Sequence, residues 1–120
     1  MPRTSGPIQN NGLATTLILA IRNSSTVQLP MVQLEVFIIT GNGLPKTPIA
    51  HELFSVHPLS NIIKTYSIAG ALGYELQADT TSGSDFTANI FTMDENGNLI
   101  DAQRVLGSET VPTAAFTPVP

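Results

Sequence analysis

Between residues 32 and 40 the chain reads Val-Gln-Leu-Glu-Val-Phe-Ile-Ile-Thr. Side chains of an extended strand alternate with a period of two, so Val32, Leu34, Val36 and Ile38 share one face and Gln33, Glu35, Phe37 and Ile39 the other. β-Branched and aromatic residues dominate, and Gly41-Asn42-Gly43 supplies turn chemistry at the end. The second face starts polar and turns apolar at Phe37 and Ile39. That pattern predicts a cover over these two residues, either the chain's own second sheet or another copy.

The same alternation predicts strands over 14–23, 49–56, 62–68, 74–80, 86–93 and 99–106. In the first, Leu17, Leu19 and Ile21 oppose Thr16, Ile18, Ala20 and Arg22. In 74–80, Tyr74, Leu76 and Ala78 are expected to face in, and Glu75, Gln77 and Asp79 out. Between the strands lie Asn23-Ser24-Ser25-Thr26, the proline-stiffened Leu44-Pro45-Lys46-Thr47-Pro48, Pro58-Leu59-Ser60-Asn61, Thr81-Ser82-Gly83-Ser84-Asp85, and Asp94-Glu95-Asn96-Gly97-Asn98, which reads as a hairpin turn. Pro30 sits at a strand entry, where its missing N–H costs least. No window of ten residues carries a helical period. Seven to eight such strands predict an all-β fold, an antiparallel β-sandwich of jelly-roll or immunoglobulin-like type, over residues 13–109. Residues 1–12 read as a flexible N-terminal arm. Residues 110–120 form a proline-framed tail that could pair only at a sheet edge.

Composition adds a tendency to associate. Only 12% of the 120 residues are charged, about half the usual share, and polarity comes from Thr, Ser, Asn and Gln instead. Like charges are what keep exposed sheet edges apart, so a weakly charged β surface favours assembly. Net charge is −4, and the five basic residues Arg3, Arg22, Lys46, Lys64 and Arg104 form no stripe, which argues against nucleic acid as a partner. There is no cysteine, so disulfides and thiolate chemistry are excluded. The apolar run 17–21 is too short to span a bilayer, and no membrane insertion is expected. Neither flank of that run has the form of a secretory signal, so synthesis in the cytoplasm without such a signal is the expectation.

Candidate chemistry is sparse. Asp94 to Asp101 places oxygen side chains at alternate positions, as calcium loops do, but Leu99 and Val105 stand where an EF-hand needs Gly and Glu. His51 and His57 with Glu52 offer two imidazoles and a carboxylate at no standard zinc spacing. Asp79 and Asp85 flank a Ser/Gly loop of solvated type. No Gly-x-Ser-x-Gly element and no Gly-rich loop opening a helix occurs. The reading is a protein that is not an enzyme and takes no cofactor or metal. The triplet Asn23-Ser24-Ser25 fits a glycosylation site but is read as a turn.

The arm and the sandwich together suggest strand addition, in which the arm of one copy pairs with an open edge of the next and Ile8 enters its pockets. Repeated head to tail, such contacts do not close and build a fibre. The expected partner is the chain itself. The expected subunit interface comprises Ile8 and Leu13 as arm anchors, with Phe37 and Ile39 as the covered face. The segments Tyr66-Ser67-Ile68, Gly73-Tyr74-Glu75-Leu76-Gln77, Phe91-Thr92-Met93-Asp94, Gly97-Asn98-Leu99-Ile100 and Gln103-Arg104-Val105-Leu106-Gly107-Ser108-Glu109 resemble small β proteins of spore-forming Firmicutes linked to the spore surface. In broad plan the chain also resembles endospore appendage fibre subunits. That resemblance implies a jelly-roll subunit joined to its neighbours by the arm, at the cell or spore surface. It also implies release when the mother cell lyses. Lacking the Cys residues that those subunits use for cross-links, such a fibre would rely on strand pairing and burial alone. The alternative is a carbohydrate-binding sandwich module or a phage capsid or tail component. With Tyr66 and Tyr74 the only phenols and no Trp, the carbohydrate reading has few ring faces to offer.

Overall fold

The structure is a computed structural model that describes residues 3–10, 12–24, 31–80, 86–100, 103–106, 109–113 and 115–117. Its strands are β1 (Arg3–Thr4), β2 (Ile8–Gln9), β3 (Thr16–Asn23), β4 (Met31–Ile39), β5 (Thr47–Ser55), β6 (Asn61–Ser67), β7 (Gly73–Thr80), β8 (Phe86–Met93) and β9 (Val111–Pro112). They make two antiparallel sheets packed against each other, and no helix occurs among the described residues. The larger sheet runs β5-β4-β7-β1-β9, with β2 also on β7, and the smaller runs β6-β3-β8. The protein is an all-β sandwich. The expected Pro30 entry, the turn at 25–26, the loop 81–85, Asp101 and the tail beyond 117 lie outside the described residues.

The core is what alternation dictates. Val32, Leu34 and Val36 of β4 and Tyr74 and Leu76 of β7 face Leu17, Leu19 and Ile21 of β3 and Ile90 of β8, all buried. Removing this apolar surface from water is the main driving force for the two-layer form.

Three features depart from the sequence reading. First, 99–106 is not a strand: among its described residues it meets β8 only at the bridges Ile90↔Val105 and Met93↔Leu99, with a tight turn where Gln103 N donates to Ile100 O. This lets Gln103 turn inward and still covers the outer edge of β8. Second, the arm is not free. Residues 3–9 lie antiparallel on β7, in the register Arg3↔Ala78, Thr4↔Gln77, Ile8↔Tyr74 and Gln9↔Gly73. The far edge of β7 would otherwise leave a row of backbone groups unpaired. Gly6, with φ +65°, makes the kink between β1 and β2, and at Gly73 a Cβ would sit 2.7 Å from Ile8 O, so only glycine admits the arm there. Third, Glu75 and Gln77 face away from the core as expected yet are buried beneath arm and tail.

The flank formed by β5 and β6 is open but guarded. β5 carries Pro48 and a register irregularity opposite Val36/Phe37. Glu52 points between the sheets to meet Lys64 Nζ at 2.9 Å and the Tyr66 hydroxyl, and Lys64 lies 4.3 Å from the Phe54 ring centroid. Proline, a bulge and inward charges on edge strands all discourage edge-to-edge pairing.

Candidate functional site

The site that the fold builds most elaborately is the seam between the arm and β7. On the outer face of the larger sheet, one row crosses from His51 through Glu35 and Gln77 to Thr4. Thr4 Oγ1 donates to Glu75 Oε2 at 2.5 Å, Lys46 Nζ to Glu75 Oε1 at 2.8 Å and Gln77 Nε2 to Glu75 Oε2 at 2.9 Å. Burial alone would push the Glu75 carboxyl up, but these donors outweigh it and hold it below the usual carboxylate range. Thr117 of the tail closes the seam: its N–H donates to Gln77 Oε1 at 2.8 Å, and Gln77 Nε2 donates to its Oγ1 at 2.9 Å. The tail itself pairs at the sheet edge, Thr4↔Val111 and Arg3↔Pro112, and Arg3 Nε donates to Thr110 Oγ1 at 2.8 Å.

On the inner side the arm ends in a buried polar knot. Asn10 Nδ2 donates to Ala14 O and Ala71 O, both at 3.1 Å, while its Oδ1 accepts from Ala14 N at 2.7 Å and from Gln103 Nε2 at 3.0 Å. Gln103 Oε1 accepts from the Thr92 hydroxyl and Gln103 O from the Tyr74 hydroxyl. Burial pushes the Tyr74 phenol up to about 12, so it stays protonated and a donor. A knot with every member satisfied specifies one docking geometry for the arm.

Of the residues expected at a subunit interface, the structure brings two together. Ile8 and Ile39 are half-buried and line one cleft of about 410 Å³ with Pro7, Gln9, Asn42, Leu72 and Gly73. Leu13, at the arm's exit, is 58% exposed. Phe37 is not available to a partner: at 1% exposure it is covered within its own chain, where Lys46 Nζ lies 4.7 Å from its ring centroid. The loop after β4 folds back over this end of the strand and supplies the cover that its apolar outer face required.

The remaining candidates are dispersed. Glu52 lies between the sheets whereas His51 points outward, 3.9 Å from Glu35 Oε1 and 3.2 Å from Gln33 Nε2, so the zinc trio does not form. Asp94 Oδ1 accepts from the backbone N–H groups of Asn96 and Asn98, both at 2.9 Å, which is hairpin-turn geometry. Among the described residues no three His, Asp, Glu or Cys side chains gather as metal ligands. Glu35 is unusual: it is 2% exposed and its Oε2 has no hydrogen-bond partner among the described residues. Desolvation pushes its carboxyl up, against the pull of His51 and Lys46. Sequence reasoning missed Asn10, Thr4 and Gln103. Within 1–12, the Asn-Asn-Gly at 10–12 resembles any turn, and only tertiary packing shows which amide is buried.

No family model matches this chain, and no curated protein matches it. Among solved structures, the crystal structure of Thermotoga maritima 1070 is similar in fold, with a TM-score of 0.55 over 88% of this chain and 90% of that one, at 11% identity. At that identity the likeness speaks for the sandwich fold alone.

Proposed function

We propose that this protein is a structural subunit that assembles with copies of itself by exchange of the N-terminal arm, the arm of one copy completing β7 of the next. The observation that supports this reading is the seam itself. β7 is completed by a segment that belongs to neither hairpin of the sandwich and is joined to it by the short connector 10–15, in which Gly12 takes φ +73°. Everything the arm does for β7 is independent of which copy supplies it. Exchange breaks the contacts within the connector: Leu13 N to Asn10 O and the two bonds between Asn10 and Ala14. At about 1 kcal/mol net per hydrogen bond, opening costs roughly 3 kcal/mol. The bonds to Ala71 and Gln103 and the β7 register re-form on the neighbour. Such exchange is a low-cost route to oligomers, and repeated without closure it yields fibres. The resemblance within residues 66–109 favours a cell- or spore-surface setting for them.

Because the chain has no cysteine, the test is direct. Ser5 N donates to Leu76 O, so Thr4 and Gln77 form the adjacent, closely spaced non-hydrogen-bonded pair, suited to a disulfide. In the variant Thr4→Cys/Gln77→Cys, oxidised after assembly, exchange gives a covalent ladder on a non-reducing gel. Single-chain product at every concentration would sink the reading. A second reading, a ligand-binding sandwich, draws on the unpartnered Glu35 oxygen beside His51 and Gln33. Glycan-array binding that is lost in Glu35→Ala would favour it.

A further inference from the structure

The two outer faces of the sandwich are treated differently. That of the larger sheet is covered by arm, tail and the loop after β4. The smaller sheet has no such cover: every outward position on β6, β3 and β8 is half-buried or exposed. From the register, its two middle rows are Thr65–Ile18–Phe91 and Ile63–Ala20–Asn89. Among the outward positions of these three strands the sole charge is Arg22, at one corner, and Ile63 is 69% exposed.

We propose that this face is a contact surface for a second copy of the chain, the two smaller sheets packing face to face. The inference stands apart from arm exchange, since it uses neither the arm nor β7. Charge argues for the occupant. A face with one corner cation has nothing to select a nucleic acid, an ion or a charged peptide, whereas an identical face matches it in polarity and in the hand of its twist. Sheets of like twist stack about 10 Å apart in the aligned manner of sandwiches. Charge also selects the orientation. With β3 antiparallel to β3 of the partner copy, Arg22 lies over the opposite end of the strand, near Thr16, and the two guanidinium groups are far apart. Parallel stacking would bring them together.

Size sets the strength. Three strands about 4.8 Å apart and eight residues at about 3.3 Å each give a flat area of roughly 370 Å². A specific interface needs about 500 Å² per partner. Corrugation and the rims narrow the gap, so the contact is weak alone and depends on concentration. A weak contact of this kind becomes strong when repeated along an assembly that holds copies side by side.

The test is sedimentation equilibrium on the full chain over a wide concentration series. The same series is run on Thr4→Cys/Gln77→Cys chains purified as the oxidised single-chain form, which cannot exchange arms. The expected result is an average mass that rises from 12.7 kDa toward twice that value in both samples. Ile63→Lys, and separately Thr65→Glu, should hold the arm-locked chain at the single-chain mass, with unchanged circular dichroism showing that the fold survives. Both sites are exposed, so neither change disturbs the core. An arm-locked chain that stays single at all concentrations would overturn the proposal, as would association unaffected by either substitution. Arm exchange is judged independently, by the covalent ladder.

Discussion

Replacing Asn10 by Ala removes the side chain that ties the arm to the sandwich. Its amide makes four hydrogen bonds in a site only 3% exposed, to Ala14 O, Ala71 O, Ala14 N and Gln103 Nε2. Net values of roughly 0.5–1.5 kcal/mol per bond give a loss of about 2–6 kcal/mol, and we take about 3.5 kcal/mol because water entering the small cavity re-solvates some of the groups. A chain of this length has a total stability of roughly 6–18 kcal/mol, so the change removes a large part of it. With an unfolding entropy of about 2.1 cal/mol/K per residue, near 250 cal/mol/K for the whole chain, the melting temperature falls by roughly 14 °C. The assay is urea and thermal unfolding, joined to hydrogen exchange read separately for residues 3–9 and for β3. Amides of the arm should lose protection first, since its hold on β7 rests on few backbone bonds. A double-mutant cycle with Gln103→Ala should show coupling of at least about 0.5 kcal/mol. A loss below about 1 kcal/mol, or no coupling, would refute the account of the knot.

Glu35 gives a pH signature. Its folded carboxyl titrates above its unfolded value, so its ionisation weighs against folding at neutral pH, and the penalty is relieved as pH falls through the folded value toward the unfolded one. Glu75 and Glu52 are held low, so what they contribute is present above their unfolded values and lost below. Glu35→Gln should therefore raise the melting temperature at pH 7 and flatten its rise on mild acidification, and a variant with an unchanged pH profile would count against the unpaired carboxylate. Leu59 adopts φ 58° in the turn closed by Ser60 N to His57 O, and Leu59→Gly should stabilise the chain by about 0.5–1 kcal/mol in urea unfolding, with destabilisation the contrary result. Replacing the inward pair by Glu52→Val/Lys64→Val should leave the sandwich folded but turn the guarded flank sticky, seen as light scattering that grows with concentration; a clear solution would show that the ion pair is not the guard.

Strand positions were legible because alternation is a local property of the chain. Predicted β4 covered 32–40 and the strand runs over Met31–Ile39; predicted 86–93 matches Phe86–Met93. The segment 99–106 misled because Leu99, Ile100 and Val105 are apolar enough to suggest a strand, while the inward turn at Gln103 answers to Asn10, 93 residues away in sequence. The arm misled for a related reason. Two-residue strands have no period to detect, so residues rich in Pro and Gly read as free chain until a waiting edge is known.

By itself the sequence determined the class of fold, because a period of two with turn residues between its runs leaves a sandwich as the way to bury one face of each strand. It also determined the low charge and lack of cysteine that shape how copies can meet. Tertiary structure alone decided which edge the arm covers, that Phe37 is sealed by its own loop, and that the open face belongs to the smaller sheet. These depend on pairings between residues far apart in the chain, where the free energy comes from satisfying buried polar groups in three dimensions rather than from any local preference.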